Sequence, residues 1–189
     1  MGLRLATGNA HKLREFGGLM EGVEFSGIPD SFVMPPETGT SFEENALIKA
    51  RALAEATGEP AFADDSGICV EKLGGRPGVF SARWAGEEAT DEENLALLLD
   101  QTDPGDRLEY VCVIAWVDPV AGEERTFEGR CIGSRAPEPR GEGGFGYDPA
   151  FVADEVPGRT MAELSAPEKD QVSHRGRAAR ELRSWLEGR

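Results

Sequence analysis

The chain has 189 residues, 39% hydrophobic and 29% charged, with a formal net charge of −15. That length suits one domain, 1–189, with a real core rather than two independent ones, and the acidity argues against a general nucleic-acid binder, which needs a basic face. No apolar stretch approaches about 20 residues, so no membrane helix is expected, and with neither a signal-peptide pattern nor a myristoylation pattern after Gly2 the chain is read as cytoplasmic.

Leu3–Ala6 reads as a short strand, Thr7-Gly8-Asn9 as a turn, and His11 to Met20 as a helix with Leu13, Phe16 and Leu19 at helical spacing. A second strand is expected over Val23 to Ile28, followed by a loop through Pro35-Pro36. Ser41-Phe42-Glu43-Glu44 is a capping box opening a long helix, and Gly58 ends it. Apolar runs at 61–63 and 68–70 bracket Asp64-Asp65-Ser66-Gly67, placing the two acids at a strand-to-turn junction. Thr90 to Glu93 is a second capping box, with a helix through Leu99. Tyr110 to Val117 is the strongest strand, and a hairpin loop at 118–123 leads to a returning strand over Arg125 to Ser134. A short helix is expected near Thr160 to Leu164, and a last helix from Ser173 to Leu186, with Ala178, Leu182, Trp185 and Leu186 facing inward. Strands alternate with helices in the first half and a long hairpin follows. The expected class is α/β, a mixed sheet flanked by helices, with the hairpin extending the sheet into a second lobe and leaving a cleft.

Cys69, Cys112 and Cys131 are odd in number and widely spaced, so neither a disulfide framework nor a zinc site is implied. Lysine is scarce, and three of the four lysines, Lys12, Lys49 and Lys169, lie in or beside unusual polar stretches. A lysine where arginine is the default cation suggests that a compact ammonium is wanted.

Those stretches carry the chemistry. Strand, Thr7-Gly8-Asn9, helix is a plausible phosphate cradle, because backbone donors at a helix N-terminus favour anions and Gly8 admits close approach. Lys12 lies one turn in. An ordinary turn explains the same residues, and no Walker P-loop occurs. Two adjacent carboxylates, Asp64-Asp65, repel unless a cation or hydrogen bonds compensate. Magnesium fits, since it takes one or two carboxylates plus phosphate oxygens, and one carboxylate can activate water. The alternative has one Asp capping a turn and the other solvated. Glu37, Glu43 and Glu44 are further ligand candidates, though the cap accounts for Glu44. Gly143-Gly144-Phe145-Gly146-Tyr147-Asp148-Pro149 sets aromatics and a carboxylate among small residues, suited to a flat base or to a plain turn over the core. In Ser173-His174-Arg175-Gly176, cations in a first helical turn oppose the macrodipole and so either invite an anion or lie on a solvated face.

These stretches resemble the noncanonical purine nucleoside triphosphate pyrophosphatases, the inosine/xanthosine triphosphate house-cleaning enzymes. The resemblance runs from Leu5 to about Leu186. It includes Glu37-Thr38-Gly39-Thr40-Ser41-Phe42-Glu43-Glu44-Asn45-Ala46 with Lys49, and Leu73-Gly74-Gly75-Arg76-Pro77-Gly78-Val79-Phe80-Ser81-Ala82-Arg83. It implies an elongated mixed β-sheet flanked by helices, two lobes around a central nucleotide cleft, and a homodimer. It assigns Thr7, Gly8, Asn9, Ala10, His11 and Lys12 to the triphosphate, with Lys49 and Ser66 helping. Asp65 becomes the proton acceptor for water and, with Glu37, a ligand of Mg2+. Phe145, Gly146, Tyr147 and Asp148 hold the base, Phe145 being the stacking ring, and Lys169, His174 and Arg175 complete the pocket. The implied reaction converts ITP, dITP or XTP to the monophosphate and pyrophosphate, with a donor at the 6-position welcoming an oxygen and rejecting adenine. A related pyrophosphatase for modified pyrimidine or methylated triphosphates, and a non-catalytic nucleotide sensor, are rival readings. The Asp64-Asp65 pair speaks against the sensor, because binding alone needs cations more than two neighbouring carboxylates.

Overall fold

The computed structural model describes residues 2–189. In chain order the elements are β1 (Leu3–Leu5), α1 (Ala10–Leu19), β2 (Phe25–Ser26), α2 (Phe42–Thr57), β3 (Ala61–Val70), α3 (Asp91–Gln101), β4 (Arg107–Asp118), β5 (Glu123–Arg135), β6 (Phe151–Ala153), α4 (Ala166–Val172) and α5 (His174–Glu187). Short 3₁₀ turns occupy Glu71–Leu73, Gly78–Arg83, Asp148–Ala150 and Met161–Glu163. The sheet has six strands in the order β2-β1-β3-β4-β5-β6. It is mixed, because β1 pairs parallel with β2 and β3 while β5 and β6 pair antiparallel.

The chain folds into two compact units. The first takes the residues up to Asp65, Cys112–Glu128 and Ala178–Arg189, and the second takes Ser66–Val111 and Gly129–Arg177. Neither is contiguous in sequence.

In the first unit β4 is covered on both faces. Cys112, Ile114 and Trp116 pack with Leu3, Leu5 and Phe62, under Phe16 and Leu19 of α1 and Ala178, Ala179 and Leu182 of α5. Val113, Ala115 and Val117 pack with Ala61 and Ala63 under Ala46, Ala50, Leu53 and Ala54 of α2. Successive strand residues point to opposite faces, so burial on both sides demands the unbroken apolar run that makes this strand so visible. In the second unit, Leu108, Tyr110 and Cys131 face a cluster with Ile68, Val70, Leu98, Tyr147, Phe151 and Met161. Glu109, Arg130 and Ile132 alternate outward, and Ile132 is 52% exposed. There the pattern is the in-out alternation of a half-buried sheet.

The end signals act largely as the sequence predicts. Ser41 Oγ accepts from Glu44 N, and Gly58 closes α2 in the left-handed region at φ 67°. The box at Ser41 is only half formed, because the Glu44 carboxylate reaches Thr40 N and Oγ1 instead. Thr90 and Glu93 form a complete box at the start of α3. Ser173 Oγ accepts from Gly176 N at 3.0 Å, capping α5.

Four local expectations need correction. β3 does not turn at the acids but runs straight through Asp64-Asp65-Ser66-Gly67. β2 covers two residues, not six. α4, opened by the Ser165–Glu168 box and Pro167, is an extra helix immediately before α5. The helix near Thr160 is a single 3₁₀ turn. Among the described residues no helix is long and apolar enough to cross a membrane. The three cysteines are thiols, with Cys112 and Cys131 buried and Cys69 half-buried.

Candidate active site

Because β3 continues through the acids, Asp64 and Asp65 leave the strand on opposite faces. Each has its own cation. Asp64 lies on the Phe62 side, where Lys12 Nζ of α1 sits 3.0 Å from Oδ2 and the Cys112 thiol lies 3.9 Å away. Asp65 lies on the α2 side. Lys49 Nζ donates to its Oδ1 at 3.1 Å and Asn45 Nδ2 to its Oδ2 at 3.2 Å. Lys49 also donates to Glu37 Oε1 at 2.6 Å, so one ammonium gathers two carboxylates. Strand geometry thus turns the neighbouring acids apart, and each meets a lysine.

Asn45 and Lys49 are four apart on α2 and share a face. Asn45 is fully buried. Its Oδ1 accepts from Gly39 N at 2.8 Å, which ties the Glu37 loop to the helix. A Cβ at Gly39 would fall 2.7 Å from both Asn45 Oδ1 and Glu44 Cβ, so only glycine allows that approach. Burial pushes the Asp65 carboxyl above its ordinary value; Lys49 opposes this, and Glu37 adds to it. Burial works to lower Lys49, but Asp65, Asp64 and Glu37 together more than reverse that, and its pKa is raised. The ammonium therefore stays charged beside the carboxylates that it gathers.

The turn before α1 is satisfied largely from within. Asn9 N donates to Thr7 Oγ1 at 3.1 Å, and Asn9 Oδ1 accepts from His11 N at 2.8 Å and Lys12 N at 3.3 Å. Asn9 is the N-cap of α1. Gly8, Ala10 and His11 are exposed, and His11 Nδ1 lies 2.8 Å from Arg14 Nη2.

The second unit assembles the remaining residues around Asp148, which is 3% exposed. Its Oδ1 accepts from Tyr110 Oη at 3.1 Å. Its Oδ2 accepts from Lys169 Nζ at 2.8 Å and from Phe145 N at 3.0 Å. The half-buried Phe145 ring has Lys169 Nζ 5.1 Å and the Arg175 guanidinium 5.7 Å from its centroid. Arg175 is buried and donates to Ser66 Oγ at 2.7 Å. His174 stacks on Tyr110, with centroids 4.6 Å apart. Tyr147 points into the core and donates from its hydroxyl to the Ser81 carbonyl at 2.7 Å. Gly146 N donates to Asp91 Oδ2 at 2.9 Å.

A family model described as Ham1 family matches residues 3–185. The chain belongs to the Ham1 family. A Frankia alni protein named dITP/XTP pyrophosphatase is 50% identical over 195 residues, covering 96% of this chain and 95% of that one. A Cutibacterium acnes protein of the same name is 50% identical over 192 residues, covering 94% and 92%. Among solved structures, a HAM1 protein from Coxiella burnetii superimposes with a TM-score of 0.88 at 41% identity over the full length of both chains. A nucleoside-triphosphatase / dITP/XTP pyrophosphatase from Mycobacterium abscessus gives 0.75 at 47% identity, covering 96% and 98%.

In this Ham1 chain the structure therefore gathers Lys12, Lys49, Glu37 and Asp65 about β3 in the first unit, and Phe145, Asp148, Lys169, His174, Arg175 and Ser66 in the second. Sequence reasoning passed over two contacting residues. Asn45 carries a visible signal, an amide one helical turn before Lys49 on a face otherwise made of Ala and Leu. Tyr110 carries none, since an aromatic inside an apolar strand reads as plain core.

Proposed function

We propose that this chain hydrolyses noncanonical purine nucleoside triphosphates, dITP, ITP and XTP, to the monophosphate and pyrophosphate. The observation that carries the reading is the buried Asp65, held by Lys49 and Asn45 with Glu37 on the same ammonium. It occurs in a chain that matches proteins named dITP/XTP pyrophosphatase over nearly its whole length.

Lys12, Lys49 and the Thr7–Lys12 turn bind the triphosphate, with Ser66 contributing a hydroxyl. Asp65 accepts the proton of the attacking water, a role that its raised pKa favours. The carboxylates of Glu37 and Asp65 fit magnesium, because they already converge on one cation and Glu37 is partly exposed. Among the described residues no group of three or more His, Cys, Asp or Glu forms a closed metal site, and magnesium accepts a two-carboxylate set when phosphate completes its shell. When bound, the ion supplies positive charge against the phosphate oxygens.

In the second unit Phe145 stacks on the base. Three donors already engage Asp148, so its main work is to hold Lys169, whose ammonium donates to a purine 6-oxo group. An adenine 6-amino group would set donor against donor, and a site built on hydrogen bonds discriminates strongly for that reason. The functional unit is taken to be one catalytic domain, cytoplasmic and homodimeric, which sedimentation equilibrium tests for the oligomer.

The deciding experiment incubates the protein with dITP, ITP, XTP, GTP and ATP, with and without magnesium, and identifies the phosphate products. Magnesium-dependent pyrophosphate from the first three alone is expected. Orthophosphate release, or indifference to the base, defeats the proposal.

A further inference from the structure

Tyr110 of β4 is buried and touches two of the residues assigned to the base. Its hydroxyl donates to Asp148 Oδ1 at 3.1 Å. Its ring stacks on His174 at 4.6 Å, 13° from parallel, and on Phe151 at 4.4 Å, 25° from parallel. Two near-parallel partners at those distances occupy one face each, so the phenol is clamped. The Asp148 carboxylate is then pinned at both oxygens, by Tyr110 at Oδ1 and by Lys169 Nζ and Phe145 N at Oδ2.

Without the hydroxyl, Oδ1 loses its donor and only the two bonds at Oδ2 oppose a turn about the Cβ–Cγ bond. Lys169 moves with it, because its ammonium is bonded to that oxygen. Burial first, then the charge of Asp148, holds the phenol well above the ordinary tyrosine range, so it remains a donor at any working pH.

We propose that Tyr110 is a positioning residue for base selectivity: through Asp148 it aims the Lys169 ammonium, and through its stacked ring it sets the plane of His174. This rests on the reading of the Asp148–Lys169 group as the base site. Tyr110 touches no reacting atom, so its removal should change binding and selectivity rather than the chemical step.

The test is Tyr110→Phe, which keeps the ring and both stacks and deletes only the hydroxyl. Steady-state constants are measured with dITP and dATP, for the wild-type protein, for Tyr110→Phe, for Asp148→Asn and for the double variant. With Tyr110→Phe the KM for dITP should rise about tenfold, as expected when a hydrogen bond to a charged group is lost, with kcat within about twofold. The preference for dITP over dATP in kcat/KM should fall by a similar factor. In the Asp148→Asn background the same change should move KM by less than about twofold, because the carboxylate through which the phenol acts is gone. An unchanged KM with only a lowered melting temperature would mean that the hydroxyl is structural, and would overturn the inference. So would a full tenfold effect persisting in the Asp148→Asn background. If the wild-type protein itself neither binds nor turns over dITP, the functional reading fails and the inference falls with it. An active wild-type protein with an indifferent Tyr110→Phe rejects the inference alone.

Discussion

Gly67 offers a sharp test of the packing that follows the two acids of β3. It lies on β3 against the 3₁₀ turn Gly78–Arg83, and its φ is not in the left-handed region, so alanine meets no backbone objection there. Space is the objection. A Cβ at Gly67 would lie 2.3 Å from Ser81 Oγ and 2.5 Å from Gly78 O, against ordinary heavy-atom contacts near 3.5 Å. Ser81 must retreat by about 1 Å. Its hydroxyl accepts from Ile68 N at 2.9 Å and donates to Gly78 O at 2.6 Å, and a retreat of that size breaks the first bond. Overpacking costs about 1–3 kcal/mol, and a buried N–H left without its acceptor about 1–3 kcal/mol more. Gly67→Ala should therefore destabilise by about 2–6 kcal/mol, read in urea as a lowered midpoint at unchanged slope. Ser81→Ala alone should cost about 1–3 kcal/mol. The double variant should cost less than the sum by about 1 kcal/mol or more, since deleting Oγ relieves the worst contact. Relief stays partial, because Gly78 O does not move away. A loss below about 0.5 kcal/mol for Gly67→Ala, or strict additivity of the pair, refutes this reasoning.

Three further outcomes are expected. Asp65→Asn should lower kcat at least about 100-fold while leaving the melting temperature close to that of the wild-type protein; near-full turnover would remove Asp65 from the proton-accepting role. Asn9→Ala strips the cap from His11 N and Lys12 N and should cost about 1 kcal/mol, with faster amide exchange confined to the first turn of α1; unchanged exchange there would show the cap to be idle. Glu168 is held down to about 2 by its bond to Arg159, then by the Ser165 N–H and the Ser165 hydroxyl. A lowered folded-state pKa gives stability that is full above the ordinary value of 4.5 and is lost as pH falls towards about 2. Amide exchange in α4 should accelerate across that window and the acceleration should vanish in Glu168→Gln; a flat profile for the wild-type protein contradicts the assignment.

The elements most legible in the sequence were those with local end signals. Ser41, Gly58 and Thr90 mark helix ends through bonds to residues three or four away, and the long run in β4 advertises burial on two faces. Tertiary pairing governs what was not legible. Asp64-Asp65-Ser66-Gly67 has the composition of a turn, yet neighbouring strands and two lysines from separate helices keep it extended. The Glu44 carboxylate had two nearby claimants, and Thr40, offering both N–H and hydroxyl, won over the Ser41 amide. At the candidate site the charged residues stood out because charge is rare inside a protein. Their partners did not: which acid meets Lys12 and which meets Lys49 depends on the alternation of β3, and that alternation was hidden by reading a turn.

The pairing of Lys12 with Asp64, Lys49 with Glu37 and Asp65, and Lys169 with Asp148 has a thermodynamic consequence. A polyanion arriving at such lysines competes with carboxylates that belong to the chain itself. Its association is an exchange of counter-charges, and every ammonium it draws away liberates an acid. Around Lys49 the liberated acids are the two suited to a divalent ion, so under the proposed reading the anion and the cation assist each other. By linkage each must lower the other's dissociation constant by the same factor, a cooperativity arising from one lysine with two claims on it.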